Sequence, residues 1–412
     1  MEYELPAGWK WTRLGEVAEI ARGGSPRPIE KYLTSSNDGI NWIKIGDAEK
    51  DGKYIFSTKE KIIKEGLSKT RYVEEGDFLL TNSMSFGRPY ILKVSGCIHD
   101  GWLVIKKCTA YNQDFLYYLL SSPGVFNQFV SLAKGSTVKN LKSETVRQVI
   151  LPLPTLAEQE RIVKRIETMF AKLDQAQEKA QAVLDSFETR KAAILHKAFT
   201  GELTANWRKE NGVSDESWEE KTIGECCKLG SGGTPSKSHP KYYENGDIPW
   251  LKTGEIDWND IYDVEEKITT AGVANSSAKI YPAESVVVAM YGMGVTRGKA
   301  GILKIPTTTN QAVCVLKPVE SLFNRYLFYY FMCNYWTFRE KAVGGNQLNY
   351  SATMISKWSI ELPTFPEQQE IVRILDTVLE KESRAKEAAQ TVLDQIALLK
   401  KSILARAFRG EL

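Results

Sequence analysis

The sequence predicts an α+β protein in which two globular mixed α/β domains alternate with two long helices, paired antiparallel as a coiled coil. The first reason is an internal repeat. Trp9, Gly15, Gly23, Gly24 and Pro26 return 209 positions later as Trp218, Gly224, Gly232, Gly233 and Pro235. The second is helical periodicity in two segments, and the third is the mixture of short apolar runs with Gly, Pro and Asn elsewhere. Such a repeat predicts two similar halves related by a pseudo-two-fold axis. An axis of this kind suits a partner that itself has approximate two-fold symmetry.

The two globular segments are predicted at residues 1–152 and 206–361. Short apolar runs predict strands at 78–80, 102–105, 286–288 and 312–316. Each segment also has one aromatic helix candidate, at 115–120 and 326–330, whose rings are expected in the core. The polar stretch 206–215 predicts a linker between the repeats.

The two helical segments, predicted at 153–205 and 362–412, have the seam of a coiled coil, with apolar or small residues mostly at alternating steps of four and three. The first seam comprises Ile162, Ile166, Met169, Leu173, Ala176, Ala180, Val183, Phe187 and Ile194, and the second repeats it 209 positions later, apart from Glu382. Each helix is expected to start just after a Leu-Pro pair and to stop at Gly201 or Gly410, because glycine tolerates a left-handed C-terminal residue.

A helix of about 43 residues would be a rod of roughly 65 Å. Four alanines, at 176, 180, 385 and 389, lie mid-rod, where small side chains let two rods approach closely. A coiled coil that dimerises the protein is the alternative. One chain already carries both rods, which favours an intramolecular pair.

Composition indicates a globular protein with a net charge of only +3, which neither requires nor excludes nucleic acid as a partner. The N-terminus lacks the apolar run of a signal peptide, and no stretch has the ~18–20 apolar residues of a membrane helix. The six cysteines have no metal or redox spacing, and there are three histidines. We therefore expect a cytoplasmic protein with reduced thiols, no metal site and no membrane contact.

Motifs for catalysis are incomplete. The glycine-rich segment 292–300 has Met293 and Ala300 where a phosphate-binding loop needs Gly and Ser/Thr, and Arg297 breaks the dinucleotide fingerprint. No nucleophile elbow, zinc-binding helix motif or amino-methyltransferase tetrapeptide occurs. We therefore expect a non-catalytic chain without a cofactor. A self-contained enzyme with an unusual motif and a protein-binding scaffold remain the alternatives.

Glycine-rich loops with basic and amide side chains occur in both globular segments. Lys and Arg neutralise phosphate, and Asn, Gln, Arg, Ser and Thr can pair with base edges. The predicted DNA contacts are Ser25, Arg27, Lys44, Ser83, Arg88, Lys134, Ser136, Thr137, Lys139, Asn140, Thr234, Lys237, Lys252, Arg297, Lys299, Asn346, Gln347 and Asn349. Ordinary turn chemistry is the alternative for any single residue.

Further ordered motifs are Gly232-Gly233-Thr234-Pro235, then Tyr243 and the run from Asn245 to Trp250, the Leu-Pro-Thr-x-x-Glu-Gln helix entries and the Ala-Phe-x-Gly-Glu-Leu exits. On these motifs, the chain resembles the specificity subunit of type I restriction-modification systems. The resemblance covers essentially the whole chain. The first repeat departs from the pattern, with Asp38-Gly39-Ile40-Asn41-Trp42 where the second has Gly-Asp-Ile-Pro-Trp.

The resemblance implies two target recognition domains, each reading one half of a split, asymmetric DNA sequence. Two antiparallel helices would set the unspecified spacer. Two methyltransferase subunits would dock on the chain, and restriction subunits would join through them. The resemblance assigns S-adenosylmethionine, ATP and magnesium to those partners.

Overall fold

The computed structural model describes residues 3–82, 86–133, 140–292, 294–340 and 349–412. The chain forms two compact units, Met1–Gln181 with Ala389–Leu412, and Ala182–Ala388. This division follows contacts in space and does not test the predicted boundaries of the four sequence segments, which remain predictions.

The first unit contains most of its secondary structure before residue 154. Its strands are β1 (Lys10–Arg13), β2 (Ile20–Arg22), β3 (Leu33–Thr34), β4 (Ile40–Ile43), β5 (Tyr54–Ile55), β6 (Glu60–Ile62), β7 (Arg71–Val73), β8 (Phe78–Thr81), β9 (Pro89–Leu92), β10 (Gly96–Ile98), β11 (Trp102–Ile105) and β12 (Ile150–Leu153). Its helices are α1 (Leu14–Val17), α2 (Gln113–Leu120), α3 (Pro123–Leu132), α4 (Ser143–Arg147) and the start of α5 (Leu156–Phe199).

Two five-stranded sheets form the centre of the first unit, in the orders β2-β11-β8-β9-β5 and β3-β6-β4-β10-β7. Alternate residues of β8 point to opposite faces, as expected for a strand. Leu79 packs with Ile43 and Ile98 between the sheets. Phe78 and Leu80 pack against the helices on the other face. The sheet with β8 is therefore buried on both faces.

The second unit repeats this plan after a short helix. Its helices are α6 (Ala205–Asn211), α7 (Ile223–Cys226), α8 (Thr270–Ala274), α9 (Asn324–Cys333), α10 (Tyr335–Glu340), α11 (Ala352–Ser356) and the start of α12 (Phe365–Ala407). Its strands are β13 (Glu219–Thr222), β14 (Cys227–Ser231), β15 (Ile248–Leu251), β16 (Asn259–Ile261), β17 (Lys267–Ile268), β18 (Val286–Ala289), β19 (Ala300–Leu303), β20 (Thr308–Thr309), β21 (Val313–Pro318) and β22 (Ser359–Leu362).

The main sheet of the second unit has the order β14-β21-β18-β19-β16, and a smaller sheet has the order β17-β15-β20. Val286 and Val288 face the helices. Val287 and Ala289 pack with Leu251 of the smaller sheet. The two units therefore share one plan, in which helices cover one face of the main sheet and a second sheet covers the other.

The long helices α5 and α12 pair antiparallel within each unit, because residues late in one helix meet residues early in the other. In the first unit Asp174 and Lys400 form an ion pair at 2.6 Å. In the second unit Glu382 pairs with Arg190 at 2.7 Å, which explains why a carboxylate interrupts the apolar seam. This confirms the predicted antiparallel pair.

The predicted seam is buried or half-buried throughout α5 but not throughout α12, where Ala385 and Val392 are exposed. The prediction was wrong for these two residues. Leu393 is half-buried in place of Val392. The seam residues on either side of it, Ala389 and Ile396, are buried as predicted.

The predicted helix ends are confirmed. Helix α5 begins two residues after Pro154, and α12 begins two residues after Pro363. Gly201 and Gly410 follow the last turns with φ of +78° and +77°. That left-handed conformation favours glycine. Within the described ranges, no helix is long and apolar enough to cross a membrane.

Candidate nucleic-acid interface

In the first unit, a glycine pair after strand β2 begins the turn that carries Ser25 and Arg27. The Gly24 N–H donates to the carbonyl oxygen of Ile98 at 3.2 Å, which ties the turn to strand β10. The Ser25 hydroxyl donates to Asp100 Oδ1 at 3.1 Å. The turn and the residues after β10 therefore form one surface.

The second unit builds the same surface after strand β14. The Gly233 N–H donates to the carbonyl oxygen of Thr309 at 2.9 Å. The Thr234 hydroxyl donates to Gln311 Oε1 at 2.5 Å. The hydroxyl contact is therefore the same in both units, while its acceptor changes from a carboxylate to an amide.

Glycine is needed at the start of both turns because the backbone lies against a neighbouring chain segment. A Cβ atom on Gly23 would lie 2.3 Å from the carbonyl oxygen of His99, and one on Gly232 would lie 1.7 Å from that of Thr309. The structure gives these two glycines a packing role within the fold.

Lys44 and Lys252 occupy equivalent positions, each just after the strand with a Trp-aliphatic pair. Lys44 Nζ lies 2.5 Å from Glu60 Oε1, and Lys252 Nζ lies 2.7 Å from Glu266 Oε1. The hydrogen bond to Glu266 raises the pKa of Lys252. Both lysine side chains are about one-third exposed, at 35% and 32%.

Other predicted contacts also face carboxylates. Arg27 lies 3.5 Å from Asp100, Arg88 lies 3.4 Å from Asp51, and Lys299 pairs with Asp257. Exposed ion pairs contribute only about 0–1 kcal/mol, so exchanging a carboxylate for a phosphate costs little. These cations are therefore held in position and remain able to change partner.

Arg297 has a different environment from the other predicted contacts. It is 9% exposed, and its guanidinium lies 5.8 Å from the centre of the Tyr350 ring. Burial raises the pKa of Tyr350, and the nearby Arg297 opposes this rise. Arg339 donates to the backbone carbonyls of Arg297 and Gly294, both at 2.7 Å. Arg297 is thus packed inside a loop whose backbone is held by the hydrogen bonds from Arg339.

The remaining predicted contacts divide into described and undescribed residues. Asn140, Thr234 and Lys237 are exposed, and Asn349 is half-buried. Seven others lie outside the described residues: Ser83, Lys134, Ser136, Thr137, Lys139, Asn346 and Gln347. Their assignment as DNA contacts remains a prediction.

Sequence reasoning missed Asp100, Gln311 and Arg339. Asp100 and Gln311 are 211 positions apart, because small insertions shift the repeat between Gly24 and this point. Allowing that shift when comparing the repeats would have aligned them. No sequence pattern points to Arg339, because it donates to backbone carbonyls, and such contacts do not depend on the partner's residue type.

Comparison with known proteins identifies one family. The family model for the type I restriction modification DNA specificity domain matches residues 6–184 and again residues 215–392. The two matched ranges include the two turns described above.

Curated relatives agree with this match. The EcoBI specificity subunit from Escherichia coli is 25% identical over 98% of this chain and 86% of its own length. The MjaIX specificity subunit from Methanocaldococcus jannaschii is 23% identical over 76% of this chain and 73% of its own length. The EcoR124I/EcoR124II specificity subunit from Escherichia coli is 32% identical, over 43% of this chain and 48% of its own length.

Two solved structures share the fold over their whole length. One comes from work on the assembly and conformational transition of the type I R-M system, with a TM-score of 0.77, 21% identity and 100% coverage of both chains. The other is the HsdS subunit from Thermoanaerobacter tengcongensis, with a TM-score of 0.69, 20% identity, and coverage of 100% of this chain and 99% of that one.

Proposed function

The chain belongs to the family of type I restriction-modification DNA specificity proteins, and we propose that it selects the DNA sequence on which its partner enzymes act. Each unit would read one half of a bipartite, asymmetric site. The long helices would set the spacer between the halves and help to dock methyltransferase subunits. The proposal places the chain in the cytoplasm, where it meets chromosomal DNA.

One observation carries this proposal: the two units present equivalent surfaces with different side chains. Both have the glycine turn with its hydroxyl, and both have a lysine held by a carboxylate. The residue that accepts the hydroxyl differs between them, as Asp100 in one and Gln311 in the other. Phosphate contacts position a protein, and base contacts specify sequence. Two domains that recognise unlike half-sites need the same phosphate contact and different base contacts. The shared lysine would supply the first, and the change from Asp100 to Gln311 would supply the second.

The proposal gives catalysis to partner subunits. Two methyltransferase subunits would bind this chain and carry S-adenosylmethionine, and restriction subunits would join through them. ATP and magnesium would likewise belong to the partners. This chain contributes DNA contacts and spacing.

An exposed aromatic residue at the same place in each unit supports one partner copy per unit. Phe56 follows β5 and is 70% exposed, and Tyr262 follows β16 and is 68% exposed. Both strands are the last in their main sheets. Large exposed aromatics are enriched at protein interfaces. Equivalent positions suit two copies of the same methyltransferase.

The test is genome-wide mapping of adenine methylation in a host that carries this chain with its modification partner. We expect a motif of two unlike halves separated by unspecified bases, and no such motif when the modification partner is expressed alone. A continuous or palindromic motif would contradict the proposal.

Two rival functions have their own tests. The purified chain alone should transfer no label from S-adenosylmethionine to DNA and should not cut DNA with magnesium, whereas a self-contained enzyme would do one of these. A protein-binding scaffold would not add salt-dependent DNA binding to the assembled complex.

A further inference from the structure

Asp100 and Gln311 occupy the same position in the two units. Each lies two residues after a strand that runs parallel to the strand with the Trp-aliphatic pair, β10 beside β4 and β20 beside β15. The residue between the strand and this position makes a matching backbone hydrogen bond in each unit. The His99 N–H donates to the Ile43 carbonyl oxygen at 3.1 Å, and the Asn310 N–H donates to the Leu251 carbonyl oxygen at 3.0 Å. The backbone thus places both side chains alike.

The two side chains also make the same contact. Ser25 donates to Asp100 Oδ1 at 3.1 Å, and Thr234 donates to Gln311 Oε1 at 2.5 Å. In each case one oxygen is fixed by the turn hydroxyl, which limits the rotation of the head group. An orientation fixed before binding is what base recognition requires.

Asp100 and Gln311 offer different hydrogen-bonding groups to DNA. A carboxylate only accepts hydrogen bonds, whereas a carboxamide both donates and accepts. In the major groove, a carboxylate accepts from the cytosine amino group, and a glutamine pairs with adenine at N6 and N7. The change from Asp100 to Gln311 therefore changes the base that the position can read.

Accessibility fits contact with DNA. The Asp100 side chain is 31% exposed, and its Oδ2 atom faces Arg27, whose side chain is 83% exposed. Gln311 is exposed. An arginine beside a carboxylate can serve both bases of one G·C pair, because arginine donates to guanine O6 and N7.

We propose that Asp100 and Gln311 are matched specificity-determining residues. Asp100, with Arg27, reads a G·C pair in one half-site through the cytosine amino group, and Gln311 reads an adenine in the other half-site. This inference rests on the proposed function and adds to it the residue at which the two readers diverge and the base class that each selects.

The test exchanges the two chemistries with almost no change in shape. Asp100→Asn and Gln311→Glu keep the oxygen that accepts the Ser25 or Thr234 hydroxyl. Each variant is expressed with the modification partner, and adenine methylation is mapped. Because Arg27 is retained, we expect Asp100→Asn to shift the preference at one position of one half-site away from the G·C pair, and Gln311→Glu to change one position of the other half-site from an A·T pair to a G·C pair. Preference for the new base over the old should shift by about 5- to 150-fold.

Glu19→Gln is the matched control for loss of a carboxylate. Glu19 is exposed and lies at the other end of strand β2 from the turn, so this variant should keep the wild-type motif.

A second measurement probes the adenine contact directly, first with the wild-type complex. Replacing each adenine of the second half-site in turn by 7-deazaadenine removes the N7 acceptor. At one position binding should weaken at least about fivefold, and Gln311→Glu should be insensitive to that replacement.

The outcomes separate the inference from the proposed function. If the wild-type complex gives a bipartite motif and both variants keep it, then Asp100 and Gln311 only support their turns and the inference is wrong. Uniformly slower methylation with an unchanged motif would lead to the same conclusion. A wild-type motif that is not bipartite would remove the proposed function itself.

Discussion

A single buried glutamine attaches each long helix to its globular domain. The Gln159 carboxamide accepts from the Asn112 N–H at 2.7 Å and donates to the carbonyls of Ala110 and Pro154, both at 3.0 Å. Gln368 makes the same three contacts in the second unit, with Phe323, Ser321 and Pro363. Both glutamines are 0% exposed. The repeated Glu-Gln pair therefore has a structural role, because its buried glutamine hydrogen-bonds three backbone groups that lie outside the helix.

The glutamate before each glutamine differs between the units. Glu367 is 0% exposed and accepts from Thr204 at 2.7 Å and from Arg208 at 2.6 Å. Glu158 is 29% exposed and pairs with Arg161, one turn along the same helix, at 2.7 Å. The same sequence motif thus gives a buried ion pair in one unit and an exposed one in the other.

This difference predicts unequal effects of removing the two arginines. Arg208→Ala leaves the Glu367 carboxylate buried without its cation, which should lower the free energy of unfolding by about 3–5 kcal/mol. Arg161→Ala, the matched control, should lower it by about 0–1 kcal/mol. Urea denaturation of the full chain measures both values, and hydrogen exchange should locate the Arg208→Ala effect in Ala182–Ala388. Equal losses for the two variants would show that burial of this pair does not matter.

At the scale of elements, regular patterns were predictable and irregular loops were not. The strand predicted at 102–105 is β11, and those predicted at 78–80 and 286–288 lie within β8 and β18. The aromatic helix candidates lie within α2 and α9. Periodicity identifies such elements because burial on a known face repeats along the chain.

The candidate interface depends on pairing between distant loops, which periodicity does not encode. Asp100 lies 75 positions after Ser25, and Gln311 lies 77 positions after Thr234. The two-residue difference arises from insertions that the repeat alone does not position. Burial of Arg297 also depends on a distant residue, Tyr350. These contacts could therefore be identified only from the folded structure.

The long helices give a prediction that belongs to the element scale and rests on the proposed function. Each passes from one unit into the other, and the ion pairs at Asp174 and Arg190 show how the two helices are aligned. One inserted heptad lengthens a helix by about 10 Å and keeps the seam on the same face. Heptads inserted together after Ala180 and after Val392 should lengthen the spacer by about three base pairs and leave both half-sites unchanged.

Methylation mapping measures the spacer in the insertion variant. A seven-residue Gly-Ser insertion after Gly212 is the control, because this glycine directly follows helix α6 outside both long helices, and a Cβ atom added to it would meet no neighbouring atom within 4 Å. This control should keep the wild-type spacer. An unchanged spacer in the double-heptad variant would show that the helices do not set it.

At the scale of the whole molecule, positive and negative charges nearly cancel, so the charges that matter for binding are those at the candidate interface. The chain has 54 basic and 51 acidic residues, which leaves a net charge of +3 and little long-range attraction for DNA. Cations at the candidate interface are paired with carboxylates in both units, as for Lys44 with Glu60 and Lys252 with Glu266. DNA binding would replace these carboxylates by phosphates at close range, so its strength should depend on how many lysines and arginines change partner.

The salt dependence of binding should therefore add across the two units. If Lys44 and Lys252 each neutralise one phosphate, Lys44→Gln and Lys252→Gln should each reduce the slope of log K against log salt concentration by about 0.9, and the double variant by roughly twice that. The methylation motif should not change, because phosphate contacts carry no sequence information. Lys209→Gln, at an exposed lysine of helix α6, is the control and should leave the slope unchanged. Binding of the assembled complex to its cognate duplex, measured at several salt concentrations, checks this prediction, and a slope change in only one single variant would mean that the equivalent lysines do not have equivalent roles.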